Sequence, residues 1–131
     1  MEKNKFIFIP GNVPSSKNGR VWTGRFSVES KAVKRYKKQS ESEWRNNTEV
    51  FKKITAKQKK MPLLIGFHFV RGSKHKYDFV NPLQTVQDLM SYYGWIEDDN
   101  TDLLVPFPLL INGLYSSYSK ENPGVYISSM V

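Results

Sequence analysis

Three stretches of the chain have the apolar pattern and the length of β-strands. Residues 6–9 (FIFI) end at a Pro-Gly pair and predict a short buried strand. Residues 63–70 (LLIGFHFV) are apolar on both alternating faces, which predicts a central strand covered on both sides, with His68 as a core histidine. Residues 124–129 (GVYISS) have the alternation of a C-terminal strand.

Two further segments carry weaker strand signals. Residues 21–26 have the pattern of a strand or of one half of a hairpin. Residues 103–111 are apolar but contain Pro106 and Pro108, which lack the N–H group that a central strand needs. We therefore expect this segment at a sheet edge or as an irregular packed element. Residues 112–113 (Asn-Gly) predict a tight turn.

Helical spacing predicts a long helix that begins at a Ser30 N-cap and runs to about residue 46. Its apolar stripe consists of Val33, Tyr36, Ser40 and Trp44. Its opposite face carries Lys31, Lys34, Arg35, Lys37 and Lys38. Such a face is typical of a solvated helix surface and also fits a helix that lies along DNA phosphates. A shorter helical piece is expected from a cap at Thr48 until the chain reaches Pro62.

A third helix is predicted between Asn81 and Gly94. Asn81 is the expected N-cap, and Pro82 takes the first helical position, where its missing N–H costs nothing. Gly94 is the expected residue just past the helix end. The residues that should face the core are Leu83, Val86, Met90 and Tyr93. Asn81, Gln84 and Asp88 share another face.

The 131 residues fit one domain, residues 1–131, because 39% are apolar and 14% aromatic, enough for a core without cross-links. The mixture of strands and helices predicts an α/β (α+β) fold with helices packed on a small mixed sheet. The chain has no cysteine, which excludes disulfides and thiolate metal sites and fits a reducing compartment. The first apolar run is too short for a signal sequence or a membrane span. We therefore expect a cytoplasmic protein that does not associate with membranes.

Basic residues outnumber acidic ones, 20 to 12, which gives a formal net charge of +8. This excess favours a polyanionic partner, because each neutralised phosphate releases condensed counterions, although a basic protein without a nucleic-acid role has the same balance. A polar loop at residues 12–20 and the run at 71–76 supply the cations, and an ordinary solvated turn is the alternative for the loop. The candidate DNA-binding residues are Lys17, Asn18, Arg20, Arg71 and Lys74.

Acidic residues collect around the third helix. They are Asp78, Asp88, Glu97, Asp98 and Asp99. The last three follow Trp95 and Ile96, which are expected to begin a strand and to fix where the acidic run emerges. Because gathered like charges repel one another, this arrangement predicts a hard divalent cation between them. The basic run at 71–76 directly precedes Asp78, and a cationic rim beside a carboxylate site suits a phosphodiester substrate.

These residues resemble the motifs of the RusA-type Holliday junction resolvases, which are small phage and prophage endonucleases. That family has Asp-x-Asp-Asn opening a helix, a lysine three residues after the Asn, an Asp late in the helix, and then Gly-Val/Ile-x-Asp-Asp. The corresponding residues here are Asp78-Phe79-Val80-Asn81, Asp88 and Gly94-Trp95-Ile96-Glu97-Asp98-Asp99. The segment Pro14-Ser15-Ser16-Lys17-Asn18 is similar to an early loop of the family.

The resemblance implies a homodimeric endodeoxyribonuclease that uses Mg²⁺, or Mn²⁺, to resolve four-way DNA junctions in recombination and repair. It implies that Asp78, Asp98 and Asp99 are the catalytic and metal-binding residues, with Asn81, Gln84, Asp88 and Lys76 in supporting roles. In such a site the ions activate a water molecule and stabilise the departing 3′ oxygen.

Two positions depart from the family pattern. Val80 stands where the family has its second aspartate, and Gln84 stands where it has a lysine beside the metals. The local groups that can replace the missing oxygen are Glu97, Asp102 and Asp88, and those that can replace the cation are Lys74 and Lys76. Two functions therefore stay open: an active junction endonuclease, and a catalytically impaired junction- or nucleic-acid-binding protein that retains the fold.

Overall fold

A mixed five-stranded sheet organises the part of the chain that the computed structural model describes, residues 6–15, 20–22 and 27–131. In chain order, the elements are β1 (Phe6–Pro10), β2 (Arg20–Trp22), β3 (Ser27–Glu29), α1 (Lys31–Asn46), α2 (Thr48–Ile54), β4 (Leu63–Arg71), α3 (Val80–Tyr92), β5 (Leu104–Pro108), β6 (Ser116–Tyr118) and β7 (Gly124–Ser129). The α+β class predicted from the sequence is confirmed.

Strand β4 is the centre of the sheet, whose order is β1-β7-β4-β5. It runs antiparallel to β7 on one side and parallel to β5 and then β6 on the other. All residues of β4 from Ile65 to Val70 are buried, as the continuous apolar run predicts. Strand β5, which contains both prolines, lies at the edge of the sheet, which confirms one of the two predicted arrangements. Strands β2 and β3 form a separate antiparallel pair.

The core lies between the sheet and the three described helices. Ser30 caps α1 as predicted, since its side-chain oxygen accepts a hydrogen bond from the N–H of Val33 at 3.3 Å. The predicted stripe of α1 is buried and ends at Trp44, which is 0% exposed. The rings of Trp44 and Phe51 each lie 5.1 Å from the ring of Trp95, so one aromatic cluster joins α1 and α2 to the end of α3.

His68 is a core histidine, as its position in the apolar run predicts. It is fully buried, with Nδ1 2.8 Å from the carbonyl oxygen of Leu109 and Nε2 2.7 Å from Oγ of Ser117. Both ring nitrogens therefore hold the segment between β5 and β6 against β4. In that segment Asn112 and Gly113 have φ angles of 51° and 79°, which confirms the predicted Asn-Gly turn.

The start of the third helix lies earlier than the sequence predicts. Asn81 is inside α3 and is not its N-cap, so that prediction is wrong. The N–H of Asn81 already donates to the carbonyl of Asp78 at 3.0 Å, and Phe79 has helical dihedral angles. The chain therefore begins to coil at Asp78. Pro82 is still in the first turn, where a backbone N–H would lack an intrahelical acceptor.

The end of α3 differs from the predicted strand start at Trp95 and Ile96, and that prediction is also wrong. Gly94 has a φ of 75°, as expected for the residue just past a helix. The N–H groups of Gly94 and Trp95 donate to the carbonyls of Ser91 and Met90 at 3.2 and 2.9 Å. These bonds turn the chain back onto the helix, and so both Trp95 and Ile96 are buried in a turn.

A smaller correction concerns α2, whose N-cap is Asn47 without a side-chain cap, while Thr48 is the first helical residue. The hydroxyl of Thr48 donates back to the carbonyl of Arg45 at 3.2 Å, so it is occupied in the connection to α1. Two predicted DNA-binding residues, Lys17 and Asn18, lie outside the described residues. Arg20 is the first residue of β2.

Candidate functional site

The exposed face of α3 carries the polar residues that the sequence places together. Gln84 and Asp88 are exposed and Asn81 is half-buried, whereas Leu83, Val86 and Met90 on the opposite face are buried. The predicted division of α3 into a polar and an apolar face is therefore confirmed. Its two ends have different surroundings, which we call the acidic end, around Asp88 and Asp99, and the basic end, around Asp78.

At the acidic end, Gln84 joins two carboxylates. Its Nε2 donates to Oδ1 of Asp88 at 2.8 Å and to Oδ2 of Asp99 at 3.1 Å. The two carboxylate oxygens thus lie within 3.1 Å of the same nitrogen atom, although the residues are 11 positions apart in sequence. The fold therefore brings Asp88 and Asp99 together, with a neutral amide between them.

Trp95 determines where the acidic run leaves the core. Its indole N–H donates to the carbonyl oxygen of Trp44 at 2.8 Å, and the side chain is 4% exposed. Together with the turn at Gly94, this contact fixes the chain two residues before Glu97 and four before Asp99. The sequence predicts this anchoring role correctly, although not the turn that performs it.

The surroundings of Asp88 oppose its ionisation. Partial burial, the largest effect, raises the pKa of Asp88, while the hydrogen bond from Gln84 lowers it and the charge of Asp99 raises it again. Lys37 of α1 lowers this pKa, but Lys37 also pairs with Glu29, whose charge has the opposite effect. Asp88 is therefore a carboxylate whose negative charge its surroundings do not fully balance, which is the condition that favours a bound cation.

Helix α1 brings its lysine face to this end of the site. A cavity of about 500 Å³ lies between α1 and α3 and is lined by Lys37, Lys38 and Asp88 together with Tyr92. The lysines of α1 are therefore within reach of a polyanion that approaches the acidic end. A DNA contact and a solvated surface both stay predictions for this lysine face.

The carboxylate of Asp98 accepts hydrogen bonds within its own turn. Its Oδ1 accepts the N–H of Asp99 at 2.9 Å, and its Oδ2 accepts the side-chain amide of Asn100 at 3.3 Å. The backbone hydrogen bond from Asp99, followed by that from Asn100, lowers the pKa of Asp98. Asp98 is thus an ionised, exposed carboxylate that shapes the loop, and Asp99 is the residue that reaches α3.

At the basic end, Asp78 and Asn81 line a cavity of about 800 Å³. The basic and aromatic residues of this cavity are Arg71, Lys74, His75, Lys76, Tyr77 and Tyr118. Three of the predicted DNA-contacting or supporting cations, Arg71, Lys74 and Lys76, are therefore assembled around Asp78. A concave surface that is rich in cations matches a phosphate-bearing ligand.

Arg71 is held by the protein itself. Its Nη1 donates to the carbonyl of Val13 at 2.5 Å, and its guanidinium lies 4.7 Å from the centre of the Tyr77 ring. Burial, the largest effect, lowers the pKa of Arg71 and the nearby Tyr77 raises it. Arg71 thus orders the wall of the cavity in addition to providing charge.

The first residues of the predicted phosphate loop lie at the same cavity. Oδ1 of Asn12 accepts the N–H of Gly72 at 2.9 Å, and the carbonyl of Pro14 accepts the hydroxyl of Thr85 at 3.1 Å. These bonds hold the start of the loop between β4 and α3, and Ser15 lines the cavity. The described start of the loop therefore lies beside Asp78 and the cations of this cavity.

The basic and acidic ends are separate along the helix. From Asp78 to Gln84 the rise is about 9 Å, and from Asp78 to Asp88 about 15 Å, at the usual rise of an α-helix. Within residues 6–15, 20–22 and 27–131, no group of three or more His, Asp or Glu side chains is close enough to hold a metal ion. The structure thus pairs Asp99 with Asp88 and leaves Asp78 in the basic cavity.

The donor set at the acidic end nevertheless fits one Mg²⁺ ion. Mg²⁺ is usually held by one or two carboxylates, retains several waters, and takes its remaining ligands from substrate phosphates. Asp88 and Asp99 provide two carboxylate oxygens around one point, which the Gln84 amide occupies. Gln84 is exposed, so its amide lies at the surface between the two carboxylates.

Two contributors to the site have no distinct signal in the sequence. Lys37 is one of several lysines on the same face of α1, and only the packing of α1 against α3 singles it out. Tyr118 follows the acidic motif by 19 residues and enters the cavity because β6 pairs with the end of β4. Neither could be selected by spacing alone.

Comparison with known proteins found no protein-family model that matches the chain and no curated protein that matches it significantly. The resemblance to the RusA-type resolvases therefore stays a prediction that rests on the quoted residues. Among the helices of the described chain, none combines the length and the apolar character that crossing a membrane requires.

Proposed function

We propose that this protein is a Mg²⁺-dependent endodeoxyribonuclease that acts on branched DNA, with the four-way junction as its substrate. The observation that carries the proposal is the pairing of Asp88 with Asp99 on the face of α3 that continues into a cation-lined cavity. A carboxylate pair provides an ion site, and the neighbouring cations provide a place for the phosphates that such an ion must meet.

In this proposal the acidic end performs the chemistry. Asp88 and Asp99 would hold the ion, and Gln84, which donates to both carboxylates, would then donate to a water or to a phosphate oxygen. The bound metal supplies activation of a water molecule and stabilises the charge of the departing oxygen. The supporting role that the sequence suggests for Asp88 thus becomes that of a metal ligand, while Asp98 shapes the loop that presents Asp99.

The basic end holds the DNA. Lys74 and Lys76 are exposed and line the cavity with Asp78, so they can pair with phosphates on the strand that reaches the acidic end. Asp78, which lines this cavity, would provide a carboxylate oxygen for a second ion bound together with a phosphate oxygen of the same strand. A homodimer would place two such sites on the two symmetric strands of a junction.

The second candidate function is binding without cleavage. Val80, at the position of the second family aspartate, is 64% exposed and provides no oxygen beside Asp78. Gln84 also leaves the acidic end without the cation that the family pattern has there. Both features fit a junction-binding protein that retains the fold but has a degraded metal site.

A junction assay separates the two candidates. Binding of a synthetic four-way junction is measured in EDTA, and cleavage is measured in Mg²⁺ and in Mn²⁺, for the parent and for Asp78→Asn and Asp99→Asn. If the protein is an enzyme, the parent cleaves the junction, and Asp99→Asn does not cleave it but still binds it in EDTA. Binding without cleavage in either metal favours the second candidate, and unchanged cleavage in both variants rejects the proposed active site.

A further inference from the structure

The cavity at the basic end contains aromatic rings as well as cations. Tyr118 is 46% exposed, and Nζ of Lys74 lies 5.1 Å from the centre of its ring. Tyr77 is half-buried and lies under the guanidinium of Arg71. Cations alone are enough to bind a phosphate backbone. The accessible ring of Tyr118 can in addition stack on a ligand that has a flat apolar surface.

The wall that carries Tyr118 is held in place from several directions. Strand β6 pairs with β4, so that Tyr118 lies opposite Arg71, and the N–H of Ser119 donates to the carbonyl of Arg71 at 2.9 Å. The hydroxyl groups of Tyr77 and Ser116 are 2.5 Å apart, and His68 holds Ser117 from inside the sheet. A ring that is ordered before binding loses little conformational entropy when a ligand stacks on it.

The size and the charge of the cavity restrict the ligand further. Its volume of about 800 Å³ lies within the range of small-molecule sites, and its exposed basic side chains, Lys74 and Lys76, require negative charge from the ligand. A nucleotide has both a planar base and a phosphate. In a regular duplex the faces of the bases are covered by stacking, so only an unpaired nucleotide can present its base to Tyr118.

We infer that this cavity binds one unpaired nucleotide of DNA, with its base stacked on Tyr118 and its phosphate paired with Lys74 and Lys76. Lys74, which lies over the ring of Tyr118, then moves to the phosphate and uncovers the ring for the base. The inference rests on the proposed DNA substrate but not on cleavage. It also provides a reason for branch selectivity, because branch points offer unpaired nucleotides more readily than duplex arms do.

The test measures binding by fluorescence anisotropy in EDTA, where no metal-dependent cleavage occurs. The probes are a short single-stranded oligonucleotide that contains 2-aminopurine, the matching duplex, and deoxyadenosine monophosphate as a competitor. The variants are Tyr118→Leu and Tyr118→Phe, with Tyr115→Leu as a control because Tyr115 is 61% exposed but does not line this cavity. Thermal unfolding of each variant shows whether it has retained the fold.

The expected result is that Tyr118→Leu weakens binding of the single strand by roughly 5- to 150-fold, the usual range for loss of one base stack, with little effect on the duplex. Tyr118→Phe and Tyr115→Leu should bind as the parent does. The parent should also quench 2-aminopurine fluorescence, and Tyr118→Leu should not. If the leucine variant unfolds, 2-aminopurine still tests the inference: the parent and Tyr118→Phe should both quench it, and absence of quenching overturns the inference.

Equal weakening for single strand and duplex, or no weakening in Tyr118→Leu, would overturn the inference while leaving the proposed nuclease intact. Competition by the mononucleotide as strong as by the oligonucleotide would also overturn it, because the site would then belong to a free nucleotide. If the parent binds no DNA, the inference and the proposed function both fail. If stacking is found but the junction is never cleaved, the inference stands and the nuclease is rejected.

Discussion

The two ends of α3 carry opposite charge and are organised in opposite ways. At the basic end, Arg71 is held by the carbonyl of Val13 and Tyr118 by strand pairing, so the cavity wall is set by the backbone of β4 and β6. At the acidic end, the side chain of Gln84 bridges Asp88 and Asp99. The first arrangement is a surface set by the backbone, and the second is a contact between exposed or partly exposed side chains.

Under the proposed function, the two ends of α3 have separate roles. Binding of DNA at the basic end should depend on salt and not on metal, because it consists of phosphate and base contacts. Chemistry at the acidic end should depend on a divalent ion. A substitution at one end should therefore impair the function of that end and leave the function of the other end intact.

The largest effect is expected from Asp99→Asn. Removing this carboxylate should lower junction cleavage in Mg²⁺ by roughly a thousandfold, because metal stabilisation of the transition state is worth several kcal/mol. Junction binding in EDTA should be unchanged. Glu121→Gln is the matched control, since it removes one exposed carboxylate from the loop between β6 and β7. Parallel loss of binding and cleavage in Asp99→Asn would show that the two ends are not independent.

A smaller effect should follow from Trp95→Phe. The variant retains a ring in the aromatic cluster but loses the hydrogen bond to the Trp44 carbonyl and some buried volume. The free energy of unfolding in urea should fall by about 1–3 kcal/mol. At temperatures where the variant is folded, cleavage should decrease and binding in EDTA should not. A variant that loses binding as much as cleavage would contradict the assignment of Trp95 to the acidic end.

The basic end is tested by the double variant Lys74→Gln and Lys76→Gln. Each lysine that pairs with a phosphate contributes about one unit to the slope of log K against log salt, so the slope should decrease by about two units. The control is Lys57→Gln with Lys60→Gln, which makes the same change of net charge at exposed positions before β4. Equal changes in both double variants would mean that binding responds to net charge and not to this cavity.

The smallest effect concerns pH and Asp88. Burial raises the pKa of Asp88 above its ordinary value of 3.8, so the folded state binds more protons there and the free energy of unfolding falls as pH rises through the window above 3.8. Asp88→Asn removes this penalty. The variant should be more stable than the parent at neutral pH by less than about 1 kcal/mol, since the side chain is exposed and solvent screens its charge.

The stability gain of Asp88→Asn should disappear as the pH falls below 3.8, where Asp88 of the parent is protonated in both the folded and the unfolded state. Urea unfolding at several pH values measures this difference, with Asp102→Asn as an exposed control on the following loop. A gain that is independent of pH, or a loss of stability at neutral pH, would show that the carboxylates at the acidic end are not under electrostatic strain.

Local sequence pattern predicted much of the fold. The stripe of α1, the buried run of β4 and the Gly94 turn each depend on residues that are close in sequence, and all three are confirmed. The predictions at Asn81 and Trp95 are wrong because backbone hydrogen bonds beyond the expected limits of α3 set where the helix begins and how the chain turns after it. Propensity cannot determine such bonds without the neighbouring elements.

The candidate site was less accessible from the sequence. The acidic residues and the cations of the basic run were selected correctly as neighbours of α3, but pairing of Asp99 with Asp88 depends on the turn at Trp95. The contribution of Tyr118 depends on the register of β6 against β4, over a long sequence separation. Side chains that converge through tertiary contacts leave no periodic signal.

The most direct test of the proposed nuclease is cleavage of a synthetic four-way junction by the parent protein as Mg²⁺ is titrated, with binding followed in the same samples. The proposal predicts binding without added metal, no cleavage in EDTA, and cleavage that rises and saturates with Mg²⁺. Cleavage in EDTA, or intact binding with no cleavage at any concentration of Mg²⁺ or Mn²⁺, would contradict it.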